Sequence, residues 1–164
     1  MLKKLTGKLV NLVRESRLKK DRKRVLRVLP EGIDFWELFE EFEVRQFGER
    51  VRREKKTPEK EALLQEFFVD VVRALYNERN SKKYLRHLSE LRKDPLYSIN
   101  PGWTTSSWVH TLLERERDRQ VPSAPTVITI LRVLAEQGIG EAEYERGPFY
   151  KLSDRYIESL DQAA

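Results

Sequence analysis

The chain contains no cysteine, and its 164 residues include only two histidines, one methionine and seven glycines. Without cysteine there is no disulfide and no thiolate metal site, and such a composition suits a reducing, cytoplasmic interior. His87 and His110 fall on separate predicted helices, with neither HExxH spacing nor a nucleophile beside them, so each reads as an ordinary helix residue. The glycines form neither GxGxxG nor GxxxxGK[ST], which removes the usual phosphate cradles of nucleotide enzymes. No run approaches the eighteen apolar residues that a membrane span needs, and the basic N-terminus lacks the apolar core of a secretory signal. Taken together these absences predict a chain that is not an enzyme, holds no metal or cofactor, and has no membrane partner.

What is abundant is charge, at 36% of residues, and its distribution says more than the net +5. Residues 1–27 carry eleven Lys/Arg against Glu15 and Asp21, and residues 28–70 reverse the sign with twelve carboxylates against seven cations. Residues 71–100 are basic again, seven against three, and residues 101–164 are acidic, seven against ten. A phosphate-binding footprint is therefore expected in the first and third blocks.

The pattern is helical for most of its length. In Met1–Arg17, Leu2, Leu5, Leu9, Leu12 and Val13 line one face, with Lys3, Lys4, Lys8 and Arg14 on the other. Lys19–Leu29 continues it until Pro30-Glu31-Gly32 breaks the helix. This basic amphipathic segment fits a phosphate-binding arm, a membrane-surface helix or a core helix with a solvated face; its apolar side lacks Trp and Phe, which weighs against the membrane. Asp34 caps a helix predicted from Phe35 to about Arg53, with Phe35, Leu38, Phe39 and Phe42 inward. Its carboxylates, Asp34, Glu37, Glu40, Glu41 and Glu43, read as a solvated face and as early-turn partners of the helix dipole.

Thr57-Pro58-Glu59 starts the next helix, which runs to about Asn77 and buries Leu64, Phe67 or Phe68, Val71 and Leu75. Asn80-Ser81 caps a shorter one, Lys82–Lys93, whose outer face gathers Lys82, Lys83, Arg86 and Arg92. The loop Asp94–Gly102 divides a basic helical region, 1–97, from a second unit, 98–164. A helix from about Thr105 to Arg119 has Trp108, Val109, Leu112 and Leu113 as its apolar side, with Thr104-Thr105 and Ser106-Ser107 as capping hydroxyls. It ends in the charge run ERERDR, expected to be solvated and unpartnered. Tyr97 and Trp103, in the loop, are the aromatics placed to stack on a base or a partner.

Ser123 then caps a helix with Pro125 in its first turn and Val127, Ile130, Leu131 and Leu134 along one stripe, stopped by a left-handed Gly138. Ile139–Glu145 and Pro148–Leu152 alternate like two strands around Glu145-Arg146-Gly147, and a last helix from Ser153 carries Tyr156, Ile157 and Leu160. Thr126-Val127, Leu134 with Gly138-Ile139, and Phe149–Asp154 give this stretch its character. On those residues about 103–160, a third of the chain, resembles a winged helix-turn-helix domain. The expected fold is mainly α: a helical N-terminal region followed by a winged helix-turn-helix with one small antiparallel hairpin.

The resemblance implies DNA recognition by residues 124–137 in the major groove. The expected outward face, Thr129, Arg132, Val133 and Glu136 with Ile128 at its margin, offers only Arg132 as a base reader. Glu141, Glu143 and Glu145 share one face of the first strand and repel phosphate, leaving Arg146 at the wing tip. Residues 59–93 are more loosely similar to the helical small-subunit modules of CRISPR effector complexes, which line a nucleic-acid path by shape and charge.

Three functions follow. The first is a nucleic-acid-associated subunit whose basic residues (Lys19, Lys20, Arg22, Lys23, Arg24, Lys82, Lys83, Arg86, Arg92) follow phosphate without reading sequence while the acidic wing docks a protein partner. The second is a sequence-specific regulator using Thr126, Thr129, Arg132 and Arg146, with N-terminal helices that dimerise. The third is a structural adaptor without nucleic acid.

Overall fold

The computed structural model describes residues 2–48, 55–82, 86, 90, 102–116, 120–145 and 147–163. Within them the protein is mainly helical, with six helices and one two-stranded antiparallel sheet near the C-terminus. In chain order these are α1 (Leu2–Val28), α2 (Phe35–Phe47), α3 (Pro58–Glu78), α4 (Ser106–Glu116), α5 (Ala124–Glu136), β1 (Gly140–Glu143), β2 (Phe149–Leu152) and α6 (Asp154–Gln162).

The helix boundaries follow from local chemistry. Asp34 accepts the Glu37 amide at 3.1 Å and Thr57 the Lys60 amide at 3.2 Å, so each satisfies an orphan donor of a first turn. Ser123 and Ser153 serve α5 and α6 in the same way. Residues Phe35–Phe47 form the whole of α2, shorter than expected, because Gly48 takes φ 74° and returns its amide to Val44 O at 2.8 Å. At the end of α5 Gly138, at φ 74°, donates to Ala135 O while Ile139 donates to Leu134 O at 3.1 Å, the paired bonds of a Schellman stop.

The organising element is α3, the helix at the middle of the fold. Every residue from Phe68 to Tyr76 is buried, including Asp70 and Arg73, and α3 touches α1, α2, α4, α5 and β2. Against it lie the C-terminal half of α1 through Val25, α2 through Phe35 (ring centroid 4.5 Å from that of Phe68), and α4. A single hydrophobic cluster runs from Val25 to Leu160, so the stretches on either side of the expected 97/98 division share one core; the division itself lies outside the described residues.

Three expectations are corrected. On α4 the fully buried positions are Val109 and Leu113, with Trp108 and Leu112 only half-buried. Trp108 instead stands at the edge, its Nε1 donating to Glu78 at 3.3 Å and the Arg115 guanidinium 5.3 Å from its ring. The charge run that begins in the last turn of α4 is not wholly solvated either, since Glu116 is held by Arg73. The hairpin pairs Gly140 with Leu152, Glu141 with Lys151, Ala142 with Tyr150 and Glu143 with Phe149. Thr104, expected as a cap, adds an antiparallel bridge to Tyr150 through bonds of 2.9 and 2.7 Å, and the α4 cap is Thr105.

Candidate nucleic-acid interface

An α-helix turns about 100° per residue, so Lys19, Lys20, Lys23 and Arg27 occupy one arc of α1, spread over roughly 12 Å of its length. All four side chains are exposed. Arg27 was missed by the sequence reading, although its spacing of four from Lys23 was visible there.

The other two cations expected in this group face inward. Arg22 Nε bonds Asp70 Oδ1 at 3.1 Å, with both side chains largely buried. Arg24 lies 5.7 Å from the Tyr76 ring, its Nη1 3.5 Å from the phenolic oxygen. That same ring carries Arg79 at 3.8 Å on the helix end, and the Tyr76 hydroxyl donates to Asp161 on α6. Burial and the Asp161 bond together raise the Tyr76 pKa. Arg22 and Arg24 therefore fasten α1 to the body rather than standing on its exposed arc.

In the second basic group, Lys82 and Arg86 are exposed, and the Arg86 amide bonds Lys82 O at 2.8 Å. Lys83 and Arg92 lie outside the described residues, as do Tyr97, His87 and Arg146. The basic helix behind the CRISPR small-subunit similarity falls mostly outside them too.

The face of α5 that a DNA reader would present is covered. Thr129 is 6% and Val133 2% exposed, correcting their expected outward placement, on a helix against which α2, α3 and α4 all pack. Arg45 on α2 bridges to Glu136 at 2.7 Å and seals one edge. Arg132 remains, half-buried in a groove of about 570 Å³ between α2 and β1, with Phe42, Gln46, Ala142 and Tyr144 around it. Its Nε is buried with no hydrogen-bond partner among the described residues, and burial raises the pKa of neighbouring Tyr144.

On the hairpin, Glu141 is paired across the strands with Lys151 at 3.2 Å, and Lys151 stands 5.0 Å from the Trp103 ring. Trp103 is thus half-buried and already faces a cation. Glu145 is exposed. His110 Nδ1 lies 2.7 Å from Glu114 one turn along α4, and no group of three or more His, Asp or Glu gathers as a metal site among the described residues. No helix among them is long and apolar enough to cross a membrane.

No protein-family model matches the chain, and no curated protein or solved structure matches it either.

Proposed function

We propose that the chain is a non-enzymatic, nucleic-acid-associated subunit. The exposed arc of α1 follows a phosphate backbone without reading bases, and the α4–α5–hairpin half is a winged-helix-type unit turned to protein contacts. The observation that carries this reading is a contrast between two helices. Lys19, Lys20, Lys23 and Arg27 stand exposed on one side of α1, whereas Thr129 and Val133 on α5 are buried in the body. A helix covered by its own protein cannot enter a major groove, and four cations on one arc suffice for phosphate.

Titrating fluorescent duplexes and single strands of unrelated sequence across a salt series tests it. The expected result is similar affinity for all sequences and a steep salt dependence. Changing Lys19, Lys20, Lys23 and Arg27 to Gln should flatten the log–log slope by about 0.7–0.9 for each phosphate that is no longer neutralised. Binding restricted to one duplex and abolished by Arg132→Ala would establish the sequence-specific regulator instead, and no binding at low salt would leave the structural adaptor.

A further inference from the structure

The leucines in the first half of α1 have no packing partner within the described structure. Every residue from Leu2 to Arg17 is exposed, including Leu2 at 84%, Leu5 at 58%, Leu9 at 60% and Leu12 at 62%. Leu18 is the first residue of α1 to enter the core, followed by Val25. One turn before Leu18, Arg14 reaches the body from the same side, donating to Arg115 O at 3.1 Å. At 100° per residue Leu9 and Leu18 lie half a turn apart, so the leucine stripe points away from the face that α1 lays on the body. Among the described residues, packing α1 more closely onto the body therefore does not cover its leucines.

The stripe has the form of a coiled-coil seam. Leu2, Leu5, Leu9 and Leu12 repeat at intervals of three, four and three, the a and d positions of two heptads, within an arc of about 80°. Val13, at an e position, and Val10 widen the exposed apolar arc to about 160°, but it has no aromatic anchor of the kind that seats a helix on lipid. The geometry points to a second copy of this chain as the occupant, its α1 running parallel and in register.

Charge fits this arrangement and limits it. In a parallel pair Glu15 at a g position faces Lys20 at the e position of the other copy, giving two complementary contacts by symmetry. Lys3, Lys4 and Arg14 fall at outer positions, while Lys8 flanks the seam opposite Val13 of the other copy and can lay its apolar stem on it. Beyond Ser16 the seam positions become Lys19 and Lys23, whose like charges force the helices apart where Leu18 begins the body. A seam of two heptads is short, so the pair is reversible and concentration-dependent.

Sedimentation equilibrium of the full chain, free of nucleic acid, tests this independently of the proposed function. From low micromolar to near-millimolar concentration the mass should climb from 19.5 kDa towards twice that value. Leu5→Asp with Leu9→Asp should hold it at the monomer mass with an unchanged thermal melt, because neither side chain touches the core. As the chain has no cysteine, Leu12→Cys supplies a unique thiol on the seam and Asn11→Cys one on its outer side. Mild oxidation should convert the Leu12→Cys protein to a disulfide dimer and leave the Asn11→Cys protein monomeric. A monomer at every concentration, equal cross-linking from both positions, or leucine-dependent capture of a monomeric protein by phosphatidylserine vesicles would each overturn the proposal.

Discussion

Arg73 on α3 and Glu116 in the last turn of α4 are joined by a two-pronged bridge, with Nη1 bonding Oε1 at 2.6 Å and Nη2 bonding Oε2 beside it. Nη2 also meets Asp70 Oδ1 at 3.3 Å, the oxygen that accepts from Arg22 Nε. Four charges, Arg22, Asp70, Arg73 and Glu116, thus connect α1, α3 and α4 in one chain. Burial alone would lower the Arg73 pKa, but Glu116 and Asp70 overcome it and leave the value raised.

Arg73→Ala should cost about 3–5 kcal/mol, since it strands Glu116 and leaves Asp70 with Arg22 alone in a place built for a second cation. Replacing Arg73 with Met and Glu116 with Leu together should cost far less, within about 1 kcal/mol, because Asp70 keeps Arg22 and the apolar pair fills similar volume. Denaturant titration measures both. A single-mutant loss below about 1 kcal/mol would mean that the bridge is solvated.

Burial on the helix pair α4 and α5 gives a second test. Leu131 is 2% exposed on α5, and Leu131→Ala should cost roughly 2–5 kcal/mol as a cavity in the core. Leu113→Ala should cost clearly more than Leu112→Ala, because Leu113 is 4% exposed and Leu112 only half-buried. Equal losses for the two leucines in urea melts would contradict the orientation of α4.

The difference between Leu112 and Leu113 illustrates what the sequence holds and what it withholds. Caps are local, so Asp34, Thr57 and Ser123 could be recognised from their neighbours, as could Gly138 and the alternating strands of the hairpin. Periodicity also marks which side of a helix is apolar, but not how many sides are covered. Thr129 and Val133 read as outward because the helices packed on α5 include α2 and α3, distant in sequence. The same blindness applies to Asp70 and Arg73, whose charges suggest solvent until partners arrive from α1 and α4. For the leucines of α1 it works in reverse, since the stripe was legible and the absence of a body beneath it was not. Of the candidate interface, Lys19, Lys20 and Lys23 are exposed, and nothing local in the sequence separates them from Arg22 and Arg24, which pack on the body.

Two glycines should respond differently to the same substitution. Gly138 holds φ 74° with open space around its missing side chain, so Gly138→Ala should cost only the left-handed strain, about 1–2 kcal/mol. Gly102 holds φ 90°, and an added Cβ would lie 2.6 Å from the backbone oxygen of Arg79. Backbone cannot swing aside as a side chain can, so Gly102→Ala should lower the melting temperature by more. The reverse order would show that the Gly102 turn relaxes readily.

Tyr156 on α6 gives the clearest pH test. It is 8% exposed, its hydroxyl has no hydrogen-bond partner among the described residues, and burial pushes its pKa up to about 12. An unfolded tyrosine titrates near 10. Below that pH the neutral phenol is present in both states and the contribution is complete. As the pH rises from about 10 to 12 the unfolded chain loses its proton first, so stability falls by up to about 2 kcal/mol from this group. Tyr156→Phe removes a buried, unbonded hydroxyl and should leave the protein equally stable at pH 7, or more stable by about 1 kcal/mol. Between pH 10 and 11.5 the variant should lose stability less steeply than the parent chain. Tyr76→Phe provides the contrast, for it breaks the bond to Asp161 and should destabilise at neutral pH. Urea titrations at pH 7 and across the alkaline window decide it. A Tyr156→Phe protein that is weaker at pH 7 and falls with an unchanged alkaline slope would mean that the hydroxyl is bonded in solution.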